Sequence, residues 1–386
     1  MLEVLRNMFR RKTRTLLTVF GITIGIFAFT VMGSMAEKIN LLVSGGTRYF
    51  ADKVTVGQGE TFFLSGPLNV NKAKELENIG GVRAVSASVT TSLNESFDAV
   101  SFGPPASIVG QELKNRSLES FKITYSQGRQ LEETDRGKVV VGADLVKKLN
   151  AEVGDPVKVR GRNYEVVGIM NKTLTAPDNT VVMTLPDAQA IYHDELPEII
   201  QAQTAPSEVV NGFTVYPRPG VDPDALSDKI NEEVSDVNAF GPQEFQDQIA
   251  SATGIFNAIL FGVALISLTV GGLSVINTMT MAISERTREI GIKKAIGAKT
   301  RNILGEYLTE AALIGLFGGL LGWALGASTV LIINKVMESG GNQIFLLSGR
   351  ISVIAILFSV ILGVLAGFYP AYHAVKINIV RALRQE

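Results

Sequence analysis

Four long runs of apolar residues constrain the fold of this sequence more than any other feature. A helix needs roughly 20 predominantly apolar residues to cross the hydrocarbon core of a bilayer, because no water is present there to satisfy free backbone groups. Hydrophobic residues make up 46% of the 386-residue chain, which is high for a soluble protein of that size. The sequence therefore predicts four transmembrane helices, within the runs Thr15–Met35, Ile255–Ile283, Ala311–Asn334 and Ile351–Tyr372.

The distribution of Lys and Arg predicts how these helices are oriented. Basic residues cluster before the first run, between the second and third runs and after the fourth, whereas the turn between the third and fourth runs carries only Lys335 and Arg350. Loops rich in Lys and Arg stay in the cytoplasm. We therefore expect a multi-pass protein of the cytoplasmic (inner) membrane, with both termini in the cytoplasm and the large loop outside. The basic residues expected on the cytoplasmic side are Arg6, Arg10, Arg11, Lys12, Arg14, Arg286, Arg288, Lys293, Lys294, Lys299, Arg301, Lys376, Arg381 and Arg384.

A cleaved signal peptide is the alternative interpretation of the N-terminus, with Ser34, Met35 and Ala36 forming the cleavage site. The uncharged run of residues 15–36 is long for the apolar part of a signal peptide. Cleavage would also leave an odd number of helices, which the charge pattern does not fit. We therefore expect the first run to remain as a membrane helix.

The chain is expected to alternate between membrane and water-exposed segments, as a membrane α-helical protein with four transmembrane helices and a large extracytoplasmic α+β domain between helices 1 and 2. Across residues 36–250, 30 acidic residues outnumber 20 basic ones, so the formal net charge of −1 conceals an acidic outer domain. The predicted segments are an N-terminal amphipathic segment with the first helix (1–35), the extracytoplasmic domain (36–250), the second helix (251–284), a charged cytoplasmic loop (285–304), the third helix (305–335), a short outer turn (336–350), and the fourth helix with a cytoplasmic tail (351–386).

The outer domain shows two similar strand–helix–strand patterns that flank a β-rich insertion. Two such units can pair in one ferredoxin-like sheet. We therefore expect residues 36–103 and 207–250 to form a ferredoxin-like part, and residues 104–206 to form the insertion. The predicted elements are strands at Lys53–Val56, Val82–Val89, Phe213–Tyr216 and Val237–Phe240, and helices at Asn71–Asn78 and Pro223–Glu233.

The insertion contains the run KVVVGADLVKKLNAEVGDPVKVRGRNYEVVGIM, residues 138–170. Its pattern predicts a strand, a short helix and two alternating strands joined at Gly161. Asp135, Asp144 and Asp155 are spaced like residues of turns and helix caps rather than like metal ligands. We therefore expect a structural role for these carboxylates.

The composition offers no candidates for catalysis or for metal binding. The chain has no cysteine, which excludes disulfides, thiolate metal sites and cysteine nucleophiles. Its two histidines, His193 and His373, are too few and too far apart in sequence for a metal site or a catalytic cluster. The stretches GIKKAIGAKT and LLVSGGT superficially resemble nucleotide-binding motifs, but neither has the context of a Walker A motif. We therefore expect no catalytic residue, no metal, no cofactor and no nucleotide bound by this chain.

The stretch SERTREIGIKKAIGAKTRNIL, residues 284–304, places eight charged side chains between two apolar runs. At helical spacing it predicts a short amphipathic segment at the inner membrane surface. Such a helix can dock in a groove of a partner, although a basic loop that only sets topology and touches anionic lipid is the alternative. Glu306 and Glu310, which follow it, are candidates to pair with nearby basic residues or to contact a partner. Arg286, Glu289, Lys293 and Ile296 recur at three- and four-residue steps, and the residues expected to supply apolar contact are Ile290, Ile292, Ala295 and Ile303.

Glycines at four-residue spacing predict where the membrane helices approach closely. Small residues let helix backbones contact each other in lipid. Gly21 and Gly25 form one such pair, and Gly318, Gly322 and Gly326 form two more in register on the third helix. We favour packing within one subunit, with packing between two subunits as the alternative. The apolar runs carry no charged residue at membrane depth, which argues against an ion-coupled transporter.

Three stretches carry a pattern that is found together in one family. They are ISERTREIGIKKAIGAKTRNIL with the following EYLTEAALIGLFGGLLGWALG, the N-terminal LRNMFRRKTRTLLTVFGITIGI, and the closing YPAYHAVKINIVRALRQE. Together they resemble the MacB/FtsX-like permeases, the type VII superfamily of ABC transporters. Ile379 stands where the closing segment of that family usually has proline. The resemblance is close at both ends of the chain and weaker in the outer domain.

The resemblance implies a permease subunit, not an enzyme, that pairs with a separate ABC ATPase, which alone binds ATP, and with a second permease subunit in a homo- or heterodimer. It implies that ATP hydrolysis moves the extracytoplasmic domain by mechanotransmission, for export of a peptide or an amphiphilic or antimicrobial compound. A membrane fusion (adaptor) protein and the lipid bilayer are further expected partners, whereas nucleic acid is not. The residues that match the ATPase-coupling motif in loop 285–304 are Glu285, Arg286, Arg288, Glu289, Ile290, Gly291, Lys294, Gly297 and Ala298.

Other functions remain open on the same resemblance. One is an FtsX-like regulator of an extracellular cell-wall hydrolase, and another is a lipoprotein-releasing permease. A passive membrane-anchored binding protein is disfavoured by the match in the charged loop. The sequence alone does not separate export from these alternatives.

Overall fold

The structure, a computed structural model, describes residues 12–59, 65–94, 105–337, 343–376 and 379. Parts of the N-terminal segment, the outer turn and the C-terminal tail lie outside these residues, including Arg6, Arg10, Arg11, Arg381 and Arg384. The α-helices in the described part are α1 (Lys12–Phe50), α2 (Lys72–Glu77), α3 (Val146–Leu149), α4 (Leu185–Glu195), α5 (Glu198–Gln201), α6 (Pro223–Glu233), α7 (Pro242–Glu285), α8 (Thr287–Ala295), α9 (Thr300–Met337) and α10 (Gly349–Val375).

The strands lie between α1 and α7 in the chain. Three single turns of 3-10 helix accompany them, at Arg116–Leu118, Ala176–Asn179 and Pro206–Glu208. The strands are β1 (Val54–Gly57), β2 (Leu68–Asn69), β3 (Val82–Ser92), β4 (Ser107–Gln111), β5 (Tyr125–Gly128), β6 (Lys138–Val141), β7 (Pro156–Val159), β8 (Arg162–Met170), β9 (Thr180–Thr184), β10 (Val209–Val210), β11 (Gly212–Pro217) and β12 (Asn238–Phe240).

The chain divides into two compact units. The helical unit comprises the described residues of Met1–Lys38, Gly254–Lys335 and Phe345–Glu386. The sheet unit comprises those of Ile39–Thr253 and Val336–Ile344. By their bounds, α1 and α7 each contain residues of both units.

Among the residues that the structure describes, four helices, α1, α7, α9 and α10, are long and apolar enough to cross a membrane. This confirms the predicted fold class, in which one membrane helix precedes a large α+β domain and three follow it. Helix α1 continues to Phe50, well past the apolar run that ends at Met35, and α7 begins at Pro242, well before Ile255. Both helices are therefore longer than their apolar runs, because polar residues continue the helical hydrogen bonding beyond each run.

The helical unit has an apolar core between its helices. Ile22 and Ile26 of α1, Val275 of α7, Ile314 of α9 and Leu362 of α10 are almost completely buried in it. Many other apolar side chains on the same helices point outwards and are exposed. A patch of this size on a water-soluble surface would be unfavourable, whereas lipid chains can cover it.

The sheet unit is built on one mixed sheet in the order β12-β1-β11-β3-β4-β9-β6-β8-β5, with β7 paired to β8. Its first four strands are antiparallel neighbours in the arrangement of a split β-α-β fold. The insertion does not form a sheet of its own, because β4 pairs with the end of β3, from Ser88↔Gln111 to Ser92↔Ser107. Strand β3 is longer than predicted, and its extra residues provide the edge that joins the two parts into one core.

The hairpin of β7 and β8 forms where the alternating pattern of the insertion predicts it. Its register closes at Val159↔Arg162, leaving Arg160 and Gly161 as the two loop residues. Both have positive φ, at 46° and 78°, as a type I′ turn requires. Just before β7, the backbone N–H of Asp155 closes another turn by donating to the Glu152 carbonyl.

The other two aspartates of the insertion hold neighbouring loops. Asp135 pairs with Arg129 at 2.7 Å and with Lys138 at 3.3 Å. The hydrogen bonds from the Arg129 guanidinium hold the pKa of Asp135 well below its ordinary value. Asp144 pairs with Lys172 at 2.9 Å. Both carboxylates therefore make ion pairs within the sheet unit.

Candidate functional site

The charged stretch between the second and third membrane helices folds as a separate short helix. Helix α7 ends at Glu285, and Arg286, with φ −103° and ψ 13°, interrupts the helical geometry before α8 begins at Thr287. The Thr287 hydroxyl donates back to the carbonyl oxygens of Ile283 and Ser284, a local bond that favours a bend. We call residues 285–304 the coupling segment, after the family motif that they resemble in sequence.

A glycine cap ends α8. Gly297 has φ +93°, a conformation that side chains with a Cβ rarely adopt. The N–H of Ala298 donates to the Lys293 carbonyl at 2.9 Å, and that of Gly297 donates to the Lys294 carbonyl at 3.1 Å. These two bonds form a Schellman motif. The motif therefore explains the glycine of the sequence pattern AIGA and redirects the chain into α9.

One side of α8 is buried in the helical unit. Ile290 is 1% exposed and Gly291 is also buried. Ile290 belongs to the same core cluster as Ile303 and Tyr307 of α9. The apolar contacts predicted for Ile290 and Ile303 are therefore present.

Polar contacts fix the same side of the segment to α9 and α10. Arg286 Nη1 lies 3.5 Å from Glu310 Oε2, and the Glu310 side chain is only 7% exposed. Lys293 Nζ lies 2.7 Å from Glu306 Oε2 in a more exposed pair. Lys294 Nζ donates to the last carbonyl of α10 at 2.9 Å. The two glutamates identified from the sequence lie one turn apart on α9 and therefore hold both ends of α8, through Arg286 and Lys293.

The other side of α8 faces away from the helical unit. Ile292 is 47% exposed and Ile296 is 80% exposed. Ile292 and Ala295, which the sequence predicts to supply apolar contact, are both exposed in this chain, because the turn of α8 that buries Ile290 and Gly291 directs them outwards. Further members of the coupling motif that are exposed are Glu285, Arg288, Glu289 and Gly297, whereas Arg286, Lys294 and Ala298 are half-buried.

The glycines singled out from the sequence lie where helices of this chain meet. A Cβ built on Gly318, Gly322 or Gly326 of α9 would lie 2.6–2.8 Å from atoms of α1. A Cβ on Gly25 would lie 3.0 Å from a Ser267 side-chain atom of α7, and one on Gly21 would meet Ser274 of α7 at 3.4 Å. The α1–α9 seam is therefore the tighter of the two.

Sequence reasoning missed a second tight seam, between α9 and α10. A Cβ on Gly315 or Gly319 would overlap Ser359, and a Cβ on Gly367 would overlap Ala311. Gly315 and Gly319, like Gly363 and Gly367, have the same four-residue spacing as the pairs that were singled out. The spacing rule could therefore have found this seam as well.

The sheet unit contains a cleft of about 430 Å³. Its floor includes buried Ile169 and Met170, and its rim includes Asp144, Lys172 and Gln343. Lys172 Nζ lies 2.9 Å from Asp144 and 3.3 Å from Gln343 Oε1. Within the described ranges, no group of three or more His, Cys, Asp or Glu side chains is placed to hold a metal ion. Three polar side chains of the cleft, Asp144, Lys172 and Gln343, are thus linked to one another.

Two family models match this chain, one in its N-terminal and one in its C-terminal part. Residues 15–233 match the family model of the MacB-like periplasmic core domain. Residues 261–379 match that of the FtsX-like permease C-terminal domain. The first match spans more than half of the chain, and the second includes the coupling segment, α9 and α10.

Relatives along the full chain are also permeases by name. An uncharacterized ABC transporter permease of Methanocaldococcus jannaschii is 26% identical, with 99% of this chain and 96% of that protein covered. The macrolide export ATP-binding/permease protein MacB of Bdellovibrio bacteriovorus is 27% identical over 97% of this chain, which spans 60% of the length of that relative.

Among solved structures, the periplasmic region of MacB from Actinobacillus actinomycetemcomitans matches 52% of this chain and 94% of its own length, at 15% identity and a TM-score of 0.37. The family assignment rests on the two sequence models and on the full-length relatives rather than on this likeness. The chain belongs to the MacB/FtsX-like family of ABC transporter permeases.

Proposed function

We propose that a partner ABC ATPase drives this permease by binding to the coupling segment. The observation that carries the proposal is the difference between the two sides of α8. One side is held to α9 and α10 by Ile290 and by ion pairs, whereas the other presents Ile292 and Ile296 among charged side chains. Exposed apolar side chains on a short charged helix fit insertion into a groove of a partner protein.

On this proposal the chain transmits force and carries out no chemistry itself. Binding of ATP draws two ATPase subunits together and displaces the docked helix α8. Because Arg286 and Lys293 tie α8 to glutamates of α9, the displacement passes to α9 instead of being absorbed by a loose loop. Helices α1 and α7 contain residues of both units, which gives the movement a route along the chain to the sheet unit.

The proposed orientation places the coupling segment and both termini in the cytoplasm, and the sheet unit outside. The excess of Lys and Arg in the coupling segment supports this orientation. The match of residues 15–233 to a periplasmic core domain supports it as well.

We also propose that two permease subunits act together, each with one ATPase. In its most apolar stretch α7 is only 12% buried, against 33–39% for the other three membrane helices. This surface suits contact with a second copy, or with a related permease, within the bilayer. An adaptor protein on the outer side is a further proposed partner.

For the substrate, we propose a peptide or an amphiphilic compound that the outer domain moves after it has left the inner leaflet. Relatives that are named for macrolide export support export over hydrolase control. The absence of charged residues from the middle of the apolar runs fits a device that does not conduct ions through the helices.

The test is binding and ATPase activity of the full chain with its candidate ABC ATPase in nanodiscs. We expect Ile296→Ser to weaken the complex about tenfold, because burying an isoleucine side chain at an interface contributes about 1.5 kcal/mol or more. Glu289→Lys should weaken it as well by reversing a charge on the exposed side. Both residues are exposed in the chain alone, so folding should be unaffected.

Ile199→Ser provides the matched control. Ile199 is an isoleucine of the sheet unit that is 69% exposed, so the same substitution should leave both affinity and ATPase rate unchanged. If Ile296→Ser and Glu289→Lys behave like this control, the coupling segment does not bind the ATPase and the proposed mechanism is wrong.

A further inference from the structure

A buried cation lies inside the sheet unit at the point where α1 ends. Lys53 immediately precedes β1 and is only 3% exposed. Its Nζ lies 3.6 Å from the ring centroid of Tyr49 and 5.7 Å from that of Phe50, both in the last turn of α1. The faces of aromatic rings attract a cation, most strongly where water is excluded. The end of α1 therefore encloses this ammonium group.

Through Glu119, this cation is linked to two distant parts of the sheet unit. Lys53 Nζ lies 3.6 Å from Glu119 Oε1, and the Glu119 side chain is 7% exposed. The same carboxylate oxygen accepts a hydrogen bond of 3.1 Å from the hydroxyl of Tyr216 in β11. Burial, reinforced by the neighbouring carboxylate, raises the pKa of Tyr216, so its hydroxyl stays protonated and able to donate. Glu119 belongs to the insertion, and Tyr216 belongs to the split β-α-β part.

Further contacts around Lys53 and Glu119 hold the end of α1 to the sheet unit. Asp52 accepts a hydrogen bond of 2.7 Å from the Ser120 N–H. The ring of Tyr49 stacks edge-on with Phe121 at 5.6 Å. Phe50 contacts Phe245 in the first turn of α7, with 4.7 Å between the ring centroids. Thus the ends of α1 and α7 contact each other in the sheet unit and are attached to it at one place.

We propose that Lys53, Glu119 and Tyr216 form a joint through which displacement of α1 is transferred to the sheet. A buried ion pair has few alternative geometries, because separating its charges leaves each without a partner in a medium that solvates it poorly. A purely apolar contact would allow sliding, whereas this joint fixes α1 to both halves of the sheet at once. The inference rests on the proposed function, since it requires that α1 moves when the ATPase binds ATP.

The test compares hydrogen–deuterium exchange of the full chain with its ABC ATPase in nanodiscs, without nucleotide and with ATP trapped. Two sets of peptides are followed, the α1 residues of the sheet unit (39–50) and strands β1 and β11. In the wild type we expect a nucleotide-dependent difference in both sets. In the double variant Lys53→Met, Glu119→Gln we expect the difference to remain in α1 and to fall at least threefold in the strands. Removing both charges together leaves no orphaned buried ion, which keeps the variant folded.

The matched control is Lys229→Gln with Glu233→Gln. This pair also lies in the sheet unit, but its side chains are 41% and 51% exposed, so both sets of peptides should respond as in the wild type. If the double variant still shows the full difference in β1 and β11, the joint does not transfer movement and the inference is wrong. If it does not fold, Tyr216→Phe decides the question, since it removes one bond of the joint and should reduce the difference in the strands, whereas a full difference would overturn the inference.

Failure of the proposed function gives a different result. If the wild type shows no nucleotide-dependent change in the coupling segment or in α1, the ATPase does not move this chain, and the proposed function fails together with the joint. If those regions respond and the double variant transmits the change normally, only the joint is refuted.

Discussion

Replacing Gly322 with alanine tests how closely the membrane helices approach each other. Gly322 lies in the middle of α9, where a Cβ would lie 2.6 Å from the Thr23 carbonyl oxygen and 2.8 Å from the Ile26 Cβ of α1. Ordinary van der Waals contact begins at 3.4 Å. Both neighbouring atoms belong to the backbone or lie next to it, so no side chain can simply rotate away. Helix α1 must therefore withdraw by about 0.8 Å along this contact.

The expected cost follows from two opposing effects. Forcing an extra methyl group into a packed seam costs about 1–3 kcal/mol. Alanine has a higher helix propensity than glycine, which offsets about 1 kcal/mol of that cost. Because the obstructing atoms belong to the backbone or lie next to it, the steric cost falls in the upper part of that range, about 2–3 kcal/mol, and we expect Gly322→Ala to lower the free energy of unfolding by about 1–2 kcal/mol.

Gly305→Ala, on the same helix, isolates the helix-propensity effect. A Cβ on Gly305 would meet no atom within 4 Å, so this variant should gain about 0.5–1 kcal/mol. The assay is reversible unfolding of the full chain in mixed detergent micelles, followed by tryptophan fluorescence of Trp323, the single tryptophan. Opposite signs for the two variants are the expected result. If both variants stabilise the chain equally, α1 and α9 are not in backbone contact at Gly322, and the close packing of these two helices is refuted.

Three further predictions concern single residues. Gly297→Ala should destabilise α8 by about 1 kcal/mol, as measured by thermal unfolding, because its φ of +93° disfavours any Cβ although no neighbour obstructs one; no effect would mean that the glycine cap is absent. In chemical denaturation, Arg286→Met should lower the free energy of unfolding by about 2 kcal/mol and Lys293→Met by less than about 1 kcal/mol. The first substitution removes the partner of Glu310, which is 7% exposed, whereas the second removes the partner of Glu306, which is 33% exposed. Equal losses would contradict the burial of the Arg286–Glu310 pair. Burial raises the pKa of Tyr192 to about 12, above its ordinary value of about 10, so the stability it contributes is present below pH 10 and is lost as the pH rises from about 10 towards 12. The melting temperature of the wild type should therefore fall faster with pH than that of Tyr192→Phe over this range. An equal fall in the two proteins would refute the raised pKa of Tyr192.

Several parts of this fold could be predicted from short stretches of sequence. The four apolar runs predict membrane helices because a bilayer requires a continuous length of apolar side chains. The alternation of Pro156–Val159 and Arg162–Met170 around Gly161 predicts the hairpin, because its two loop residues need positive φ. Helix α6 begins and ends at the predicted residues. Asp222 caps its N-terminus by accepting a hydrogen bond, and Pro223 lies in its first turn.

The predictions failed or were incomplete where contacts join residues far apart in the chain. The pairing of β3 with β4 depends on the extra length of β3, and the alternating pattern does not show which edge strand it will meet. The same limit applies to the candidate site. The sequence marks the coupling motif by its residues, but not that Ile290 faces inwards while Ile292 and Ile296 face outwards.

The sequence by itself determined the number of candidate membrane helices, the α+β character of the domain between the first two, the family, and the position of the charged segment 285–304. These properties depend on residue type and local spacing, which are present in any short window of the chain. Only the tertiary structure decided which basic residues pair with Glu306 and Glu310, that the glycines of α9 meet α1, and that Lys53 is paired with Glu119, which in turn binds Tyr216. Such contacts are fixed when the whole chain packs, because burying a charge or bringing two backbones together is favourable only once the partner from elsewhere in the sequence is in place.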